Sequence, residues 1–459
     1  MPRQFRTVDY EATLDSTVRL RDMLPDDHLA RFVADMVAQL DVSTFYARYG
    51  SRGGLPYAPE VLLALLFYGY ATGVFSSRRI EQATYDQAPF RFLAGNTHPD
   101  HDTLAHFRTE FLNLLPDLFT QLLLLAQAAG VLRLGSISLD GTKIHADASR
   151  SKAVSYKRLL ELETHLRAEV ESLFSRAAQA DTTPLPDGLV LADEISDRAA
   201  RLARLAEAKA VLEARAGERY VAEQAAYAAK VQERAEQTRR REGGGGGKPR
   251  GRPPQPPTPG PRADDQYNFT DPDSRIMKNS RDAGFDQSYN GQVAVDQASR
   301  FIVGQSLSSH PVDVREVVPT LESIPAEIGV PDAAALDNGY WSEANVRELE
   351  GRGIAAHIAT GRQEHRRDWQ AYFAPEDPPP LPEGATVREQ MRYRLGTAAG
   401  RAIYRLRKST VEPVIGIIKE TLGFRQFSLR GLGKVAGEWC LVCLAYNLKC
   451  YHGVRPCLG

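Results

Sequence analysis

Three acidic residues of this 459-residue chain stand where oxygen-based chemistry could be assembled from separate elements. Asp140 lies in SISLDGTKIHADAS, Asp337 in AAALDNGYWS and Glu412 in RKSTVEPVIG. Ile137 and Leu139 alternate with Ser138 and Asp140, which predicts a half-buried strand with a carboxylate on its other face. AAALD predicts a buried strand ending at Asp337, and Glu412 falls on a predicted helix with Tyr404, Lys408 and Lys419. Steps of four, four and seven residues return to nearly the same side of a helix, so this carboxylate shares a stripe with cations. Two Mg²⁺ ions about 4 Å apart need bridging and terminal oxygen ligands, and they activate the attacking oxygen and stabilise the leaving oxygen of a phosphodiester. Separated acids on neighbouring elements are such a ligand set.

Other residues compete for the same reading. His145 and Asp147 follow closely after Asp140, but histidine favours zinc and other transition metals over Mg²⁺, so they are expected to play supporting or structural roles. Tyr340 and Trp341 have two readings, stacking on a distorted base in a DNA channel or burial in the core. Cys440 and Cys443 form a CxxC with Cys450, His452 and Cys457 downstream. WCLVCLAYNLKC nevertheless reads as one apolar helix without the turn of a zinc knuckle, and cysteine buries well as a small hydrophobe.

Basic residues cluster locally although the chain as a whole is neutral, with 57 Lys+Arg against 58 Asp+Glu. From Arg401 to Lys434 the cations are Arg401, Arg405, Arg407, Lys408, Lys419, Arg425, Arg430 and Lys434, opposed by Glu412 and Glu420. Such an excess suits a phosphate backbone. KPRGRPP, from Lys248 to Pro254, resembles an AT-hook in which Arg250 and Arg252 enter a narrow minor groove and the intervening glycine permits close approach. A basic spacer is the other reading of that run.

The elements that must position these residues follow from periodicity. Hydrophobic residues make up 42% and charged residues 25%, which excludes wholesale disorder. The amino-terminal MPRQFRTVDYEATLD has no apolar signal core, and the apolar stretch Leu114–Leu132 is interrupted by Pro116, Asp117, Gln121 and Gln127, so neither secretion nor membrane spanning is expected. Cysteines confined to the last stretch of chain do not form a disulfide framework, and a cytosolic setting is expected.

From Pro59 to Leu112 the pattern is helical, with a third helix expected at Asp102, capped by that residue. Leu104, Phe107 and Phe111 would face inward, leaving Thr103, His106, Arg108 and Thr109 outward in a helix-turn-helix layout. Apolar steps from Leu159 to Leu173 and from Ile195 to Leu205 predict an antiparallel helical hairpin, followed by five glycines and a proline-rich linker. YNGQVAVDQASRFIVGQSL predicts a strand pair turning at Asp296–Arg300. After it, strands and helices alternate as in an α/β protein, and Gly361–Gly396 reads as a polar excursion before a long helix near Ala398. Pro413 predicts a kink or a new helix start beside Glu412.

In SLDGTKIHADAS, YNFTDPDSRIMKN, SYNGQVAV, ALDNGYWS and YRLRKSTVEPVIGIIKETLGFRQFSLRG, taken in this order, the chain resembles DDE-type transposases of bacterial insertion sequences. The resemblance implies a multidomain α and α/β protein: a helical amino-terminal DNA-binding domain, 1–132, and a ribonuclease H-like mixed-sheet catalytic core, 133–150 and 265–459. A helical-hairpin insertion, 151–242, and a Gly/Pro-rich basic linker, 243–264, would interrupt that core. It assigns Asp140, Asp337 and Glu412 as catalytic and metal-binding residues, with Mg²⁺ as cofactor and Mn²⁺ as a substitute. Tyr404, Arg407, Lys408 and Lys419 would contact DNA, as would Arg108 and Thr109 of the front domain and Arg250 and Arg252 of the linker. Family members place an Arg four residues before the Glu; here Lys408 holds that place and Arg407 precedes it, leaving two candidates for the phosphate contact. The implied activity is binding of terminal inverted repeats, cleavage, and transfer of 3′-hydroxyl ends to target DNA. The implied partners are double-stranded DNA and a second copy, as a homodimer or larger synaptic complex, in a cytoplasmic, nucleoid-associated setting without a membrane. A non-catalytic, architectural DNA-binding protein derived from a transposase is the alternative.

The hook reading generates its own test. Replacing Arg250 and Arg252 with Lys keeps the charge but removes the flat guanidinium, so preference for an A·T-rich over a G·C-rich duplex should fall several-fold. Unchanged preference in a gel-shift titration at fixed salt would leave only a charged spacer.

Overall fold

The computed structural model describes all residues except 1–4, 6–8, 13–17, 51–53, 180–190, 243–251, 279–283, 362–376 and 455–459. The chain divides into two units, Met1–Asp147 with Ile276–Gly459, and Ala148–Arg275. The helical front and the sheet thus share the first unit.

The front contains α1 (Leu29–Val37), α2 (Ser43–Tyr46), α3 (Pro59–Thr72), α4 (Ser77–Asp86), α5 (Ala88–Leu93), α6 (His101–Glu110) and α7 (Leu115–Ala128). Helix α3 is started by Pro59 and stopped by Gly73 at φ +82°, whose N–H returns to the Gly69 carbonyl. Its residues from Val61 to Ala71 are all buried, as expected of a helix apolar on every side. Helix α6 begins at His101, and its cap is Asp100 rather than the expected Asp102: Asp100 accepts from the Thr103 amide at 2.7 Å and from its hydroxyl at 2.9 Å.

Strand β1 (Ser136–His145) leaves the front for the sheet. In the second unit, β2 (Ala153–Ser155), α8 (Tyr156–Gln179), α9 (Leu191–Glu242) and β3 (Gln266–Asn268) follow. Val154, Leu159, Leu205, Ala208, Leu212 and Tyr267 form its core, with Leu162 and Leu166 packed against it. The described part of the linker is anchored along α9 by Arg219 to the Gly260 carbonyl and Asp265, by Arg262 to Glu223, and by Arg234 to the Arg252 carbonyl. Arg250 and the five glycines lie outside the described residues.

The sheet is completed by β4 (Arg275–Lys278), β5 (Phe285–Asp296) and β6 (Ile302–Ser308), then α10 (Val317–Glu322), β7 (Ala333–Leu336), α11 (Glu343–Gly351) and β8 (Ala355–Ile358). Strand order is β6-β5-β1-β7-β8, with β4 also on β5; β1–β5 and β5–β6 are antiparallel, β1–β7 and β7–β8 parallel. The turn between β5 and β6 closes through Arg300 at φ +63°.

Three helices follow: α12 (Val387–Gly396), α13 (Ala398–Gly416) and α14 (Leu432–Val454). Helix α12 ends the stretch 361–396 that reads as a polar excursion; a reciprocal capping box between Thr386 and Glu389 starts it, and Met391 is its buried anchor. Helix α13 also runs through Pro413, where a break was expected, and becomes a π-turn only at Ile417–Thr421. Proline removes one amide donor, and here the rest of the helix carries the turn.

Helix α14 is buried almost throughout and packs on α3, α7 and β6. Trp439 is fully buried, and its indole N–H donates to the Gln292 carbonyl at 3.1 Å. A Cβ on Gly291 would come within 3.0 Å of that ring, so the glycine lets the indole lie on β5. Among the described residues no single helix is long and apolar enough to cross a membrane. Replacing Trp439 by Ala removes both the buried ring and the bond, and should cost about 3–5 kcal/mol of unfolding free energy. Urea denaturation measures this; a loss below 1 kcal/mol would mean that the indole does not anchor helix to sheet.

Candidate active site

Register brings the first two acids together. In the parallel β1–β7 pair, Leu139 faces Leu336, so Asp140 and Asp337 are the next residue on each strand. Asp337 directly follows β7 and accepts from the Gly339 amide at 2.7 Å, while Asp140 accepts from the Gly141 amide at 2.8 Å. Both glycines follow an acid closely for a steric reason. A Cβ on Gly141 would lie 2.3 Å from Gln292 Nε2 and 2.9 Å from Asp313 Oδ1, and one on Gly339 would lie 3.0 Å from Asp337 Oδ1.

Helix α13 supplies the third acid. It packs on β1, β5, β7 and β8, and Thr410 donates to the Ser138 hydroxyl at 2.8 Å. Ser138 is fully buried, so β1 is covered on both faces over Ile137–Leu139, where one exposed face was expected, while Asp140 stays partly exposed. Asp140 lies two residues on, facing the same helix. One turn before Thr410, Arg407 reaches it: Nη1 stands 3.1 Å from Asp140 Oδ2 and Nη2 stands 3.6 Å from Glu412 Oε1. Glu412 itself is half exposed.

The cationic stripe divides. Arg407 is 8% exposed and turned into the acids, whereas Lys408 faces solvent. Lys419 is half-buried and donates to the Lys143 carbonyl on β1 at 2.8 Å. Burial raises the Tyr404 phenol above the ordinary value, and the positive Arg407 opposes that rise. Burial works against the Arg407 charge, but Asp140, Tyr404, Asp337 and Glu412 together outweigh it and raise the guanidinium. Burial and then the nearby Arg425 lower Lys419.

A polar network beneath the acids was not legible as a site. Asp313, on a turn after β6, receives Lys143 Nζ at 3.0 Å, Asn290 Nδ2 at 2.7 Å and Gln292 Nε2 at 3.0 Å, all on one oxygen. Tyr340 is fully buried and donates to Gln292, so of its two readings burial is the one realised. Asn290 and Gln292 lie in SYNGQVAV, and their alternation on β5 could have pointed here; Asp313 stands in HPVDVREV without comparable patterning.

Other sequence candidates lie elsewhere. Arg108 does not face outward: it is buried and donates to the Tyr70 hydroxyl at 3.0 Å and the Phe75 carbonyl at 3.1 Å. Tyr70 in turn donates to the buried Glu438 at 2.9 Å, whose charge draws the guanidinium inward. Thr109 is half-buried, and its hydroxyl donates to the Ala105 carbonyl at 2.9 Å. His145 lies 4.0 Å from Asp286, and Asp147 pairs with Arg430. Cys440 and Cys443 are buried in α14, where burial pushes the Cys440 thiol to about 12. Cys457 lies outside the described residues.

Asp140, Asp337 and Glu412 offer hard oxygen donors suited to Mg²⁺ in type. Asp140 and Glu412 are spaced around the Arg407 guanidinium, and among the described residues no three His, Cys, Asp or Glu side chains converge on a metal position. Burial raises the Asp140 carboxyl from 3.8 to about 6, with Arg407 opposing and Asp337 adding to the rise. A raised acid stabilises the fold while protonated, and that contribution is lost as pH climbs through about 6. Asp140→Asn should therefore gain in metal-free stability relative to wild type as pH rises from 4 to 8, because the wild-type carboxyl loses its proton over that range and the amide does not. Urea unfolding between pH 4 and pH 8 gives the result; a gap independent of pH would assign the effect to shape instead of charge.

Comparison with known proteins adds two matches. Residues 18–110 match the model of a transposase domain (DUF772), and residues 381–452 match that of a transposase DDE domain. The first spans α1 to α6; the second includes Arg407 and Glu412. No curated protein and no solved structure matches the chain.

Proposed function

We infer, from two transposase-domain matches that support a DDE-type transposase, that this chain cuts and rejoins DNA at the acidic site between β1, β7 and α13. The observation that carries the reading is the adjacency of Asp140 and Asp337 in the β1–β7 register, with Arg407 linking Asp140 to Glu412. The strand order, with three antiparallel strands followed by two parallel ones, supports a ribonuclease H-like core. The unit from Ala148 to Arg275, lying between β1 and β5 in sequence, supports an insertion into that core.

Asp140 and Asp337 would hold one face of the divalent-cation site and Glu412 the other. Bound Mg²⁺ or Mn²⁺ would supply Lewis-acid activation of the attacking oxygen and charge neutralisation at the leaving oxygen. The chain's residues orient the DNA: Lys408 presents an exposed ammonium to a phosphate, and Lys419 adds positive charge beside β1. Arg407 and Tyr404 stand against the scissile region. Water attacks first, releasing a 3′-hydroxyl, which then attacks the target phosphodiester, so no covalent protein intermediate forms. Thr103, His106 and Thr109 on α6 are the front domain's candidates for reading the terminal repeats, with Arg108 removed from that set by its burial. Joining two ends in one event calls for two copies, as a dimer or larger synaptic complex.

Asp140→Asn, Asp337→Asn and Glu412→Gln should each reduce Mg²⁺-dependent cleavage of an element end by at least roughly a hundredfold while end binding stays within about twofold, because each removes a ligand charge at constant shape. Gel shift paired with a cleavage assay decides it. Full cleavage by one variant would remove that residue, and binding without cleavage in the wild-type chain would favour the architectural alternative.

A further inference from the structure

We infer that Arg407 is a resident cation of the acidic site, which holds Asp140 and Glu412 in the metal-free chain and must withdraw before a divalent cation can take their oxygens. The inference rests on the function proposed above. It answers the question left by the sequence, since Arg407 and Lys408 are neighbours yet face different surroundings.

The geometry is that of a bridge. The two terminal nitrogens of one guanidinium meet two different carboxylates, Asp140 at 3.1 Å and Glu412 at 3.6 Å. Asp337 and Tyr404 also act on it. Mg²⁺ draws its oxygen ligands to about 2.0–2.1 Å, so the acids would have to close around an ion much smaller than the group now between them. Like charges in so small a space repel, and the low local dielectric strengthens that repulsion. Guanidinium and metal therefore exclude one another from Asp140 Oδ2 and Glu412 Oε1.

The same side chain has a reason to leave. Its Nε is buried and has no hydrogen-bond partner, so the inward pose leaves one donor unsatisfied. A DNA phosphate is an anion that a guanidinium binds through a matching fork. Phosphate arriving at the site would compete for Arg407 as metal competes for the acids, and each arrival would assist the other. Cation loading then becomes conditional on DNA, which protects a cell's DNA from a loaded but unengaged nuclease site.

The test is Mn²⁺ titration of the full chain without DNA, with free Mn²⁺ read by electron paramagnetic resonance. Arg407→Gln should bind Mn²⁺ roughly tenfold more tightly than wild type. Arg407→Lys should fall between the two, because an ammonium lacks the fork that spans two carboxylates. Adding an element-end duplex should tighten binding in wild type and have little further effect in Arg407→Gln. Affinity equal to or weaker than wild type in the Gln variant overturns the inference; should that variant not fold, as judged by circular dichroism, the same criterion applies to Arg407→Lys. Asp140→Asn serves as the separate control for the proposed function. If it leaves Mn²⁺ binding unchanged, the metal site itself has been misplaced, whereas loss of binding there with no gain at Arg407 defeats the resident-cation idea alone.

Discussion

A positive charge buried between carboxylates is the constraint around which the site is built. Asp140 lies on a central strand just past the stretch covered on both faces, where an unpaired carboxylate would be costly. Arg407 relieves that cost, and it can reach only because α13 lies directly over β1. The Thr410–Ser138 bond, one turn from Arg407, fixes how far along the strand the helix sits. Gln297 adds a second tether by donating both to Ser138 at 3.0 Å and to the Ile403 carbonyl at 3.1 Å. The position of Glu412 follows from that docking, and so does the division of labour between inward Arg407 and outward Lys408.

A second buried charge ties the helical front to the same unit. Glu438, fully buried on α14, accepts from Tyr70 on α3 and from the Ser428 and Leu429 amides in the loop before α14. Arg108 from α6 completes this cluster through Tyr70. Three elements distant in sequence thus share one electrostatic centre, and α14 is packed against α3 and α7 as well as β6. A front domain cut at about residue 132 would lose α14 and expose the apolar faces it covers. The carboxyl-terminal helix is accordingly part of the front's core as much as of the sheet's. The Ala148–Arg275 unit differs in kind, because its apolar cluster and its ion pairs to the linker are internal to it.

Much of this was legible from residue order because the relevant forces are local. Apolar runs and alternation located β1, β5, β6, β7 and β8, the long helices and the turn at Asp296–Arg300. The apolar helix reading of WCLVCLAYNLKC matches the burial of Cys440 and Cys443 in α14. Motif phrases singled out Asp140, Asp337 and Glu412, and the two transposase-domain matches agree with the family those phrases resemble. Capping chemistry explains the misses nearest to local: Asp100 and Asp102 both suit an N-cap, and Asp100 is the one whose carboxylate takes the Thr103 amide.

What the sequence determined by itself, then, was which segments bury apolar surface and which acids stand at strand ends, since periodicity and turn chemistry act over a few residues. Tertiary structure alone decided where the long polar side chains go. Arg108 occupies an outward position by helical count from Phe107 and Phe111, yet Glu438, 330 positions later in the chain, pulls it inside. Spacing put Lys408 on the stripe of Glu412 and left Arg407 one position off it, yet Arg407 is the residue turned to the acids, because the carboxylate of Asp140 on a different element meets it there. Asp313 carried no pattern until three donors from β1 and β5 met on its oxygen. Charge pairing acts across space between residues far apart in the chain, so its outcome is fixed only once the strands are in register and the helices are docked.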